Sequence, residues 1–78
     1  MDKNKVLKIQ EGGSHYKDMA IQPVEYIQAN RIGYLSGNVI KYASRYQSKG
    51  GAEDIKKAIH YCQLILEMEY GITSTCEE

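Results

Sequence analysis

The stretch from Ala52 to Tyr70 does most to limit what this chain can fold into. Ile55, Ala58, Ile59, Cys62, Ile65 and Leu66 recur at spacings of three and four residues, the repeat of one helical face and not of a strand. Glu53 and Asp54 open the stretch, where the positive end of a helix dipole favours carboxylates. Gly71 stands where such a helix would stop. A second row, Tyr61, Leu64 and Met68, lies on an adjacent face. An apolar arc wider than one neighbouring helix can cover predicts contact with another subunit.

Two shorter helices precede it. Pro23, the single proline, suits the first turn of a helix, where its missing N–H would have had no partner. This predicts a helix from Pro23 to about Asn30, with Val24 and Ile27, and Tyr26 beside them, facing inward. Arg31, Ile32 and Gly33 form the exit to the next helix, which runs from just after Gly33 to near Ser48. Leu35, Val39, Tyr42, Ala43 and Tyr46 give it a buried stripe. Gly37 inside that helix costs on the order of 1 kcal/mol relative to alanine. It marks either a close approach of another group or a frayed first turn. Gly50 and Gly51 end the helix, since glycine most easily takes the left-handed conformation beyond a C-terminus. The fold class is therefore all-α: a flexible arm over residues 1–13, a three-helix domain over 14–71 and an acidic tail over 72–78.

Size and charge narrow the function. Seventy-eight residues make one domain at most, and so short a chain often needs disulfides, a metal or partner subunits for stability. Cys62 lies in a helical pattern and Cys76 in the polar tail, the start is charged, and no long apolar run follows it. This reads as a cytoplasmic protein with reduced thiols. Homo-oligomerisation is then the favoured source of extra stability. No segment approaches the roughly 18 apolar residues of a membrane span. Ten basic and ten acidic residues cancel, which argues against a nucleic-acid binder that relies on a strong positive field. The distribution is uneven: Lys41, Arg45, Lys49, Lys56 and Lys57 occupy the middle, while Glu67, Glu69, Glu77 and Glu78 collect at the end.

That basic middle is the candidate site. Asn38, Lys41 and Arg45 share one helical face at spacings of three and four. An arginine fork grips two phosphate oxygens, lysine adds a compact charge, and Tyr42 offers a ring for a base or sugar. Lys49, and Asp54 and Lys57 on the following helix, stand near enough in sequence to join the row. A structural reading competes: Arg45 bridges Asp54 or Glu53 and ties the two helices together. The two readings are compatible if the ion pair positions the cation. Elsewhere the chain lacks a Walker loop, a dinucleotide fingerprint, an H-E-x-x-H pair and paired C-x-x-C motifs. His15 and His60 have no cysteine spacing that suggests zinc, so no metal or other cofactor is expected. His60 reads as a half-buried helix residue. Ser14-His15-Tyr16 places three hydrogen-bonding side chains ahead of the first helix.

These residues also carry a resemblance. Ser14-His15-Tyr16, Gln22-Pro23 with Glu25, Gly37-Asn38-Val39-Ile40-Lys41-Tyr42 with Arg45, and Gly51-x-Glu53-Asp54-Ile55-Lys56-Lys57-Ala58 with Tyr61 resemble the SaV-like family of small bacteriophage proteins over residues 14–70. A similar segment occurs in the nucleotide kinase of short-tailed coliphages, an enzyme without a Walker loop that acts on deoxynucleoside monophosphates as a large oligomer. The kinase has a substantial region beyond the shared segment. The resemblance implies a phage protein acting in the cytoplasm of an infected host, a helical oligomer and nucleotide binding. If kinase activity accompanies it, Lys41 and Arg45 hold phosphates, Asn38 orients them, Asp54 meets a magnesium ion or its water, and His15 and Tyr16 contribute from the preceding segment. Three functions follow as expectations: a nucleotide binder with kinase-like chemistry, a protein that sequesters a nucleotide signal from host defence, and an interaction module that regulates a host or phage enzyme.

Overall fold

The computed structural model describes residues 18–73. The expected arm, His15 and Tyr16, and residues 74–78 of the tail lie outside the described residues. Three helices follow in order: α1 (Pro23–Ala29), α2 (Tyr34–Arg45) and α3 (Ala52–Tyr70). The described residues contain no strand, so the small all-α domain read from the pattern is the fold.

Local chemistry sets each boundary. Pro23 occupies the first turn of α1, and the Glu25 carboxylate accepts the Gln22 backbone N–H at 2.9 Å, holding a donor that the helix itself leaves unpaired. At the other end Arg31 takes a left-handed φ of 55°. There the Ile32 N–H returns to the Ile27 carbonyl at 2.9 Å. A non-glycine residue in that conformation costs about 1 kcal/mol. α3 ends on Gly71 at φ 70°, with the Gly71 and Ile72 N–H groups returning to the Glu67 and Leu66 carbonyls.

α2 stops at Arg45, short of Ser48. The Ser48 and Lys49 N–H groups both turn back to the Arg45 carbonyl at 3.0 Å, and the Ser48 hydroxyl donates to the same oxygen at 3.2 Å. The two glycines therefore do not cap α2. Gly51, at φ 55°, is the residue from which α3 starts, and Gly50 serves the ion pair described below.

Packing is sparse. α2 lies along α3, whereas α1 touches α2 alone. With only one neighbour, seven-residue α1 buries a single line of contact. Ile27 takes it, while Val24 and Tyr26 stay exposed, contrary to the inward placement read from sequence. Ile27 packs on Gly37, whose absent side chain makes room: a Cβ there would come within 3.3 Å of Ile27 Cγ2. Gly37 is thus a close-approach glycine. On α3 the line toward α2 is Asp54, Ala58, Tyr61 and Ile65, all buried or half-buried. Ile59, Cys62 and Leu66 of the expected stripe are exposed, as are Ala43 of α2 and Met68 of the second row. One helix covers only one line of α3, the Ala58 and Ile65 side of the expected stripe, and leaves its Ile59, Cys62 and Leu66 side open. Pro23 and Ala58 are the only apolar side chains buried among the described residues.

Gly37→Leu should force α1 off α2, since overpacking a tight contact costs about 1–3 kcal/mol. Urea unfolding of the variant should show a lower midpoint, and an unchanged midpoint would refute the close-approach role.

Candidate functional site

The junction of α2 and α3 is built around one carboxylate. Asp54, in the first turn of α3, is 1% exposed, and Arg45, the last residue of α2, is 14% exposed. Arg45 Nε donates to Asp54 Oδ2 at 2.9 Å and Nη2 to Oδ1 at 3.2 Å, a two-point grip. The Gly50 backbone N–H donates to Oδ2 at 3.1 Å. A side chain at Gly50 would overlap the Asp54 carboxylate, so the position accepts hydrogen and nothing larger. The Arg45 hydrogen bonds hold the Asp54 carboxyl below its ordinary value of 3.8, against the opposing effect of burial, with help from the Gly50 N–H and the Lys57 charge.

Above this anchor lies an aromatic and cationic face. The Tyr42 ring has Arg45 Cζ at 4.8 Å from its centroid, Lys41 Nζ at 4.9 Å and Lys57 Nζ at 5.2 Å. All three are within cation–π range. Tyr61 of α3 stacks on Tyr42 at 6.1 Å with 14° between the planes, and Tyr34 meets Tyr61 edge-on at 6.0 Å. The Tyr34 hydroxyl as hydrogen-bond partner, together with burial, raises the pKa of the Tyr61 hydroxyl. Beside these rings is an open groove of about 320 Å³ lined by Tyr42, Lys56, Lys57, His60 and Tyr61, near the lower bound of small-molecule sites.

The structure brings three of the expected site residues, Lys41, Arg45 and Lys57, to the ring of a fourth, Tyr42, and ties Asp54 to Arg45. Asn38 turns back on its own helix, its amide donating to the Tyr34 carbonyl at 2.8 Å. Lys49 is exposed in the turn after α2. Glu53, the other partner considered for Arg45, lies instead near Lys56 at 3.7 Å in an exposed pair. His60 is exposed and not half-buried. Lys56, His60 and Tyr61 were not among the expected site residues. The signal was available in spacing, because His60 and Tyr61 follow Lys56 and Lys57 by four residues and so stand over them on the helix. Among the described residues no group of three or more histidine, cysteine, aspartate or glutamate side chains could hold a metal ion, and no helix is long and apolar enough to cross a membrane.

A helical hairpin pinned by a buried ion pair, with a tyrosine ring ringed by cations on one flank, is the unit on which relatives can be compared. The chain belongs to the DUF3310 family, described as a protein of unknown function, whose profile matches residues 10–63. That match contains α1, α2 and the first half of α3, and with them every residue of the groove. No curated protein and no solved structure matches the chain.

Stability should follow the Asp54 carboxylate. Its folded pKa is depressed, so its contribution is complete above the unfolded value near 3.8 and is lost as pH falls through the folded value. Thermal melts should show the wild type losing stability below about pH 4, while Asp54→Asn starts lower at neutral pH and changes less on acidification. Parallel pH profiles would refute the assignment.

Proposed function

We propose that this protein binds a phosphate-bearing ligand, a nucleotide, at the Tyr42 face. One observation carries the reading. Three cations from two helices converge on one aromatic ring, and among the described residues only Arg45 of the three forms an ion pair with a carboxylate. Lys41 and Lys57 leave positive charge concentrated beside an open groove, which favours an anion there. In this arrangement phosphate oxygens meet the two ammonium groups, while a base or sugar lies along Tyr61 and His60, whose rings border the same groove. The likeness of these positions to SaV-like phage proteins, and to the segment shared with a nucleotide kinase, supports a nucleotide over other phosphates.

Binding is favoured over transfer. Phosphoryl transfer rests on positioning and on neutralising charge, commonly through a metal held by carboxylates. Asp54, the one carboxylate in the expected set, is buried under Arg45 and Gly50. The reading is therefore a protein that holds its nucleotide and releases it unchanged, as sequestration of a nucleotide signal in an infected host requires.

Calorimetric titration of the full chain with mono-, tri- and cyclic nucleotides and with inorganic phosphate tests this, with recovered ligand analysed by chromatography. A nucleotide should bind, come back unchanged, and lose about tenfold in affinity with Lys41→Ala or Lys57→Ala, a change of about 1.4 kcal/mol. Raising the salt should weaken binding. Absence of binding to any nucleotide, or lysine variants that bind as the wild type does, would reject the proposal. Recovery of a phosphorylated product would replace it with the kinase-like reading.

A further inference from the structure

The face of α3 that α2 leaves uncovered has the form of a two-helix seam. Asp54, Ala58, Tyr61 and Ile65 point to α2 at spacings of four, three and four; Ile55, Ile59, Cys62 and Leu66 repeat those spacings one residue later. That shift turns the second line by about 100°, away from α2. Ile59 and Leu66 are 49% and 39% exposed, and Cys62 is exposed. Alternating steps of three and four are the spacing by which two helices pack side chains into one another. α1 does not reach this face, since its only contact is α2.

We propose that the seam is covered by the same seam of a second copy, with the two α3 helices antiparallel and centred near Cys62. The first argument is register. Ile59 and Leu66 lie equally far on either side of the point between Cys62 and Gln63, so a two-fold axis there sets Ile59 of each copy against Leu66 of the other. The same axis brings the two Cys62 side chains together. The second argument is charge. Lys56 and Glu67 flank the seam on the same side, near opposite ends of α3. Antiparallel packing places Lys56 of one copy near Glu67 of the other, twice over. Parallel packing would instead place Glu67 near Glu69 of the second copy, a like-charge contact. The third argument is need. With Ala58 the only buried apolar side chain on the two long helices, the hairpin lacks the buried apolar area that a small domain requires.

Sedimentation velocity of the full chain tests the proposal. A dimer should form at micromolar concentration, and Leu66→Lys should weaken it by about tenfold or more. Because that variant could unfold, charge exchange is the second arm. Lys56→Glu and Glu67→Lys should each weaken the dimer, and the double exchange should restore it, as only antiparallel pairing predicts. In a Cys76→Ser background, a short bis-maleimide should link the two copies through Cys62. A monomer throughout, a dimer indifferent to Leu66→Lys, or charge exchange without rescue would overturn the proposal.

Discussion

The junction of α2 and α3 depends on the Asp54 carboxylate. It receives two hydrogen bonds from the end of one helix and a third from the turn that joins it to the next. A buried charge is costly to leave unpaired, so the turn must deliver Gly50 to the same oxygen that Arg45 grips. This explains a feature of the turn that helix capping does not. Gly50 is there for the space it leaves, and Gly51 for the left-handed backbone from which α3 departs. Two adjacent glycines, alike in sequence, answer two different physical demands.

The anchor and the candidate site share one residue. Arg45 donates to Asp54 and lies over the Tyr42 ring. The two accounts of the basic row, a helix tie and the proposed phosphate site, thus draw on different members of it. Arg45 is the tie. Lys41 and Lys57 carry the charge that the tie does not neutralise, and Tyr42, held against Tyr61, is the surface on which they meet.

How much of this could be read in the sequence varies by element. The bounds of α3 were legible because acidic residues mark its start and Gly71 its end, and nothing between interrupts the helical period. The inward face of α3 was legible in part, through Ala58 and Ile65. Apolar character selected Ile59, Cys62 and Leu66, whereas the line that meets α2 is led by a charged residue, Asp54, and includes Tyr61. A polar anchor settles which edge of a wide apolar stripe is covered, and periodicity cannot register that. Val24 misled for a related reason: it lies in a helix with too few neighbours to bury what its pattern offers. At the site, Lys41, Arg45 and Lys57 were legible from spacing. The retreat of Asn38 onto the Tyr34 carbonyl was not, because an amide satisfied by its own helix looks the same in sequence as one that faces a ligand.

The docking of α1 has a consequence for how the molecule opens. This short helix rests on α2 through Ile27 and Gly37 and meets nothing on α3. It can therefore detach without disturbing the Arg45–Asp54 anchor, whereas separating α2 from α3 breaks that anchor and the tyrosine stack together. The domain thus comprises two cooperative units of unequal lifetime. Amide protons of α1 should therefore exchange with solvent before those between α2 and α3.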